Sequence, residues 1–363
     1  MTEHMRSSVL VAAALALGGG ALGAQQTRPP LPIEPGHLAR VVDHPDRHQV
    51  EVIVGPVSLP AGGPHLRPPV QLVTIPISGW LHGFEWSITD GSGSELPHEL
   101  LHHVNLIDPD ARELFAPIAR RVMAAGRETQ KQKMPKLLGY PLNPPTRILV
   151  SSMFANSTDR DFPEVYLHVR LFYSREGEGL LRPRDVFPFY MDVMGPLGAK
   201  DFPLPPGASE RSWEGSPAID GRILAIGGHL HNYATWLRLE DVTAGKLLWD
   251  GKPKLDEQGR VTSVPTRKLW WRGGVKIRRD HTYRIVVHYD NPLDRDAPDG
   301  GMGALGGIML ATGDSRWPPL NRHDLAYVND LQNTLEAPRR MMERMKREQG
   351  GHAHGEDGSE GSP

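Results

Sequence analysis

The chain has no cysteine among its 363 residues. Disulfides, thiolate catalysis, cysteine-ligated zinc and iron–sulfur clusters are therefore excluded, and any bound metal must be held by histidine, methionine or carboxylate. Charge of one sign is lacking too. Lys and Arg number 41 against 43 Asp and Glu, a formal net charge of −2, which leaves no basic footprint for nucleic acid. Long apolar runs are also missing, so no membrane span is expected. The longest run, Val9 to Leu17, follows Arg6 and leads into small residues before Gln25. That pattern reads as a secretory signal peptide over residues 1–24, and it places the mature chain in a periplasm or outside the cell.

Turn chemistry is abundant. The 39 Gly and 34 Pro follow no collagen-like period and point to many short strands rather than long helices. Apolar or alternating runs at 50–54, 70–77, 84–88, 148–154 and 165–173 read as strands. In the last of these, Leu167, Val169 and Leu171 face one way while Tyr166, His168 and Arg170 face the other. Residues 110–133, rich in Ala, Arg, Glu and Leu, predict a short helical excursion, with Pro117 near its first turn. Residues 183–212 are Pro-rich and read as a linker. Strands resume at 223–226, 236–239, 268–271, 283–289 and 308–311. Residues 319–363 are expected to form a helix and then a disordered Gly/Ser/acidic tail.

An internal repeat organises these runs. Asn156 to Glu164 (NSTDRDFPE) matches Asn291 to Asp299 (NPLDRDAPD) at Asn, Asp, Arg, Asp and Pro, and each copy lies between two apolar strands. Turns favour these residue types, but the shared string points to duplication and hence to two β-domains. Each half carries a histidine pair, His102-His103 in the first and His229-Leu230-His231 in the second. Each also carries a later residue able to bind metal, His168 and Met302 respectively.

Taken singly, these residues are weak signals. His229 and His231, at i and i+2 on a strand, face the same way and can reach one ion, with Gly227-Gly228 leaving space beside them. Adjacent His102 and His103 can do so only at a bulge or a strand end. Three imidazoles suit zinc, copper, iron or nickel, with zinc the main competitor to copper at the first site. Two imidazoles with a thioether favour copper at the second, because methionine sulfur is soft. Asn105 and Tyr233, two residues beyond each pair, are candidates to orient the ligands. His82 reads as a structural hydrogen-bonding residue.

This constellation, in this order and at these separations over about residues 75 to 312, resembles the copper type II, ascorbate-dependent monooxygenases. The family includes the peptidylglycine α-hydroxylating and dopamine β-monooxygenases. The resemblance implies an all-β fold of two tandem jelly-roll β-sandwich domains, here at 45–182 and 213–318, with the helical excursion and the C-terminal helix as additions. It implies two copper ions, one per domain. His102, His103 and His168 would hold the electron-transfer copper, and His229, His231 and Met302 the oxygen-binding copper. Ascorbate or another one-electron donor would reduce both, and a C–H bond of a small or medium organic substrate would be hydroxylated with O2. Where the peptidylglycine enzyme clamps a substrate carboxylate, this chain has Gly227, Ala304 and Gly306, so a glycine-extended peptide is not the expected substrate. Two alternatives stay open: an exported copper-binding or buffering protein without catalysis, and a double jelly-roll glycan-binding module in which the histidines are incidental.

Overall fold

A computed structural model describes residues 31, 33 and 37–352, except 299 and 314–315, with side chains to residue 343. The signal segment expected at 1–24 and the tail beyond His352 lie outside the described residues. What is described from Ile33 onward falls in a single compact unit.

The first half builds a two-layer sandwich. One layer contains β1 (Ala39–His44), β2 (Gln49–Leu59), β4 (Gly79–Asp90), β7 (Gln132–Lys133), β8 (Leu138–Leu142), β10 (Phe162–Ser174) and β11 (Arg184–Asp185). Their order is β1-β2-β10-β4-β8-β11, with β7 pairing β4. The facing layer is β3-β9-β5-β6, from β3 (Gln71–Ile75), β5 (Leu101–Arg112), β6 (Ala119–Gly126) and β9 (Thr146–Phe154). The second half repeats the plan. Its β12 (Phe187–Asp192), β22 (Gly303–Ala311), β14 (Gly221–Leu230) and β19 (Arg267–Lys268) lie side by side, and β20 (Val275–Ile277) also pairs β14. Opposite stand β13 (Gly207–Gly215), β21 (Tyr283–Asn291), β15 (Ala234–Asp241) and β16 (Lys246–Gly251), in that order. A separate pair, β17 (Lys254–Leu255) and β18 (Val261–Ser263), completes the strands. In the first half β2-β10-β4-β8 faces β3-β9-β5-β6, and in the second β12-β22-β14-β19 faces β13-β21-β15-β16. This shared order is that of a jelly roll, with β1 and β11 added at the two edges of the first. The protein is thus all-β, with two jelly-roll sandwiches and one C-terminal helix, α1 (Leu325–His352).

Alternation puts the cores where they are. In β10, Leu167, Val169 and Leu171 are buried against Val104, Leu106 and Val150 of the other layer, whereas His168 and Arg170 point away. The second core gathers Leu237, Leu239, Ile285, Val287, Leu305 and Met309. It also contains Leu114 and Phe115 from the β5–β6 connection, which plug the first sandwich into the second.

Two expectations are corrected. Residues 110–133 form no helix; they end β5, build β6 and reach β7. Local helix propensity yields here to pairing with β5 and to burial, since Arg121 finds Asp330 of α1 at 2.7 and 2.5 Å, and Arg120 bonds the Arg112 carbonyl. The Pro-rich stretch 183–212 is not a plain linker. It supplies β11, β12 and the first half of β13, because proline is tolerated at strand starts and edges.

The repeat is a matched pair of loop locks. Asn156 Nδ2 donates to the carbonyls of Leu59, Pro60 and Arg160 at 2.9–3.0 Å, and its Oδ1 accepts from Thr158 N at 3.1 Å. Asn291 Nδ2 donates to the Leu204 and Arg295 carbonyls at 3.0 and 2.9 Å, and its Oδ1 accepts from Leu293 N at 3.1 Å. Both asparagines are buried; one loop joins β9 to β10, and the other joins β21 to β22. Replacing either by alanine strands several carbonyls, so Asn156→Ala and Asn291→Ala should each lower stability by about 1–3 kcal/mol, measured by chemical denaturation.

Candidate metal centre

The two histidine pairs come from different sandwiches and meet at their junction. His102 and His103 open β5, and the register slips between Leu101 and His103 against β9. That irregularity lets neighbouring side chains turn to one side, and the two rings stand 5.2 Å apart, centre to centre. His229 lies near the end of β14, opposite Ala304 of β22, and His231 follows just past the strand. Their rings are 5.5 Å apart, and His102 is likewise 5.5 Å from His231. His65, on the segment leading into β3, adds a fifth ring 4.8 Å from His102.

Hydrogen bonds orient the second pair. His229 donates from Nδ1 to Glu128 Oε1 at 2.7 Å, and His231 Nδ1 faces the Gly300 carbonyl at 3.3 Å. The Tyr289 hydroxyl accepts from His231 N at 3.2 Å and from Met302 N at 3.0 Å, and it donates to the Met302 carbonyl. One buried tyrosine thus fixes Met302 beside His231. On the other side, Arg67 reaches His103 Nε2 at 3.4 Å and Met153 Sδ at 3.2 Å. A crevice of about 10 Å³ opens between the sandwiches, lined by His102, Arg127, Glu128, His229 and His231. It has room for a group the size of one water molecule.

Electrostatics set the protonation. Burial, reinforced by the surrounding imidazoles, pushes His102 well below the usual histidine range; burial and then Arg67 do the same for His103. Both are neutral at physiological pH, the form that ligates metals. Burial alone would lower His229, but the Glu128 charge and hydrogen bond outweigh it and raise it; Glu128 is held below its ordinary value by the same pairing, against its own burial.

Donor chemistry fits an imidazole-bound ion. His103 Nδ1 and His229 Nε2 are shielded from solvent and make no hydrogen bond. Ring centres on one ion stand about 5 Å apart, because each metal–nitrogen bond is about 2.0–2.1 Å, and the rings here are spaced at 4.8–5.5 Å. Among the described residues, however, no three His, Cys, Asp or Glu side chains already converge on one point. Binding would therefore need side-chain rotation; at His103 the nitrogen left for a metal is Nδ1, since Arg67 stands at Nε2.

The remaining expected residues lie as follows. His168 is not with the first pair. It projects from β10 on the face away from the core, with Nδ1 3.1 Å from Glu51 Oε1 and Nε2 3.0 Å from Thr89 Oγ1, so both nitrogens are engaged elsewhere. Strand alternation forbids its joining His103, which belongs to the opposite layer. Asn105 shares the side of β5 that carries His103, between Ala124 of β6 and Ser151 of β9. Tyr233 does not continue the face of His231. It sits past the strand with φ +69 and packs on Gly259. Gly228 opens no space either, since a Cβ there would meet Leu237 at 2.6 Å. His82 Nδ1 donates to the Leu138 carbonyl at 2.6 Å and its Nε2 pairs with Ser174 Oγ at 2.7 Å, a structural role. His65 and Glu128 escaped the sequence analysis. His65 stands alone among prolines, and Glu128 fell within the segment expected to be helical.

No family model matches the chain. No curated protein matches it either. Among solved structures, the STIV MCP is similar at 9% identity with a TM-score of 0.38, covering 69% of this chain and 97% of that one. PNGF-II is similar at 10% identity and 0.37, over 73% of this chain and 66% of that one. The Sputnik virophage structure gives 8% and 0.23, over 84% and 92%.

Two outcomes follow from the placement of His168. His168→Ala should leave metal stoichiometry unchanged, measured by elemental analysis after reconstitution. Its hydrogen bond, with those of His44 and the charge of Arg170, outweighs burial and holds Glu51 down to about 2, from an ordinary 4.5. A depressed carboxylate contributes its stability in full above 4.5 and loses it as pH falls toward 2. The melting-temperature gap between wild type and Glu51→Gln should therefore be constant above that window and close within it.

Proposed function

We propose that the chain is an exported copper-dependent monooxygenase whose metal-binding imidazoles lie at the junction of the two sandwiches. The observation that supports this reading is the meeting of His102, His103, His229 and His231 from both halves, with a shielded, unbonded nitrogen on His103 and on His229. His65 is a further donor within reach. Copper held there would supply one-electron redox chemistry and a site for O2, with ascorbate or another donor as reductant.

The chain's own part is positioning. Glu128 and the Gly300 carbonyl each hold an Nδ1, which turns Nε2 of His229 and of His231 toward the cluster. Tyr289 ties the Met302 backbone to that of His231, and a Met302 thioether turned to the second pair would add a soft donor. Gly227 pairs with Gly306, and Ala304 with His229. These positions offer no charged clamp, so a glycine-extended peptide is not the substrate proposed.

The narrowness of the crevice favours a second reading, copper binding without turnover, since about one water fits beside the histidines. Copper analysis together with O2 uptake separates the two. The enzyme should hold copper that is lost in the His229→Ala/His231→Ala double variant and should consume O2 with ascorbate when a substrate library is supplied. Copper binding with no substrate-dependent O2 uptake would leave the binding protein. No copper, or copper retained in the double variant, would sink both.

A further inference from the structure

We propose that Glu128 is a positioning residue that acts across the junction: carried by the first sandwich, it holds the Nδ1 proton of His229 on the second and so decides which nitrogen that imidazole presents to a metal. The consequence for metal affinity rests on the copper reading above; the clamp itself does not.

Glu128 is held rigidly on its own side. It lies in a tight turn after β6, closed by Thr129 N to the Gly126 carbonyl at 2.9 Å and by Gly126 N to Thr129 Oγ1 at 3.0 Å. Trp86 Nε1 donates to the Thr129 carbonyl at 2.9 Å, which ties the turn to the first core. The carboxylate folds back over Gly126 so closely that a Cβ there would stand 2.5 Å from Oε2. Only glycine leaves it that path.

From this anchor Oε1 reaches His229 Nδ1 at 2.7 Å, with the Glu128 side chain 7% exposed and that of His229 22% exposed. Beside it Arg127 crosses the same junction to Asn232 Oδ1 at 3.3 Å. A neutral imidazole can carry its proton on either nitrogen, and the partner of one nitrogen sets the state of the other. A carboxylate only accepts, so Nδ1 keeps the hydrogen and Nε2 keeps its lone pair. Nε2 is the atom of this ring that is shielded and makes no hydrogen bond. The clamp exists only while the sandwiches are in contact, so the second half's ligand is readied by the first.

The test uses the full chain, labelled with 15N-histidine and free of metal, at alkaline pH where the imidazole is neutral. The wild type should show His229 protonated at Nδ1. Glu128→Leu should move the proton wholly or partly to Nε2, while Glu128→Gln, whose amide oxygen still accepts, should keep it on Nδ1. Cu(I) affinity, from competition with a colorimetric chelator, should fall about 10–100-fold in Glu128→Leu and about tenfold or less in Glu128→Gln, where the charge is lost and the hydrogen bond stays. An unchanged tautomer in Glu128→Leu overturns the clamp. Should that variant not fold, Glu128→Ala takes its place with the same reading, and a wild-type His229 protonated at Nε2 overturns the proposal by itself. A wild type that binds no copper fails the functional reading, and the tautomer of His229 still judges the clamp.

Discussion

The seam between the sandwiches is the constraint on which everything else depends, and its centre is the β5–β6 connection. Leu114 and Phe115 leave the first sandwich and are buried in the core of the second, where Phe115 packs edge-on against Phe189 and Tyr283. Burying two such side chains contributes about 1.5–3 kcal/mol each. Glu113, with no exposed surface, accepts from Leu114 N, from Arg121 N and from Tyr190 N of the second half. Burial raises its carboxyl above the ordinary range, so separating the halves would strip partners from a group that cannot afford to lose them. α1 adds a further tie through Asp330 and Arg121.

That seam gives the histidines their chemistry. Imidazoles on two separate sandwiches would be solvated and would titrate in the ordinary way. Pressed together, His102 and His103 lose water and stay neutral, and the charges placed around the two pairs differ by side: Arg67 at the first, Glu128 at the second. A cation is opposed at His103 and favoured at His229. The two pairs are therefore unequal as metal ligands although each half contributes one.

The duplication explains the fold better than it explains the site. Asn156 and Asn291 lock the same loop in both jelly rolls, with the same acceptors from the preceding edge. The histidine pairs sit on strands that do not correspond, β5 in one half and β14 in the other. Aligning His168 with Met302 through the repeat thus puts the first within β10 and the second just before β22, and only Met302 has its backbone tied to a paired histidine, through Tyr289.

Much of this was written in local sequence. The alternation of Leu167, Val169 and Leu171 with Tyr166, His168 and Arg170 determined both the strand and the face of each side chain, because a strand's period of two needs no distant information. The turn chemistry and the repeated Asn loop determined an all-β, duplicated chain, and the helical composition after 319 determined α1. Tertiary structure alone decided what local composition hid. Residues 110–133 became strand because a sheet edge and Asp330 claimed them, and 183–212 supplied strands because the second sandwich needed its first. It alone excluded His168, which alternation turns outward, and it alone brought in His65 and Glu128, which have no neighbours in sequence to announce them. Which strands meet depends on how two cores close on each other, and no spacing within one strand encodes that.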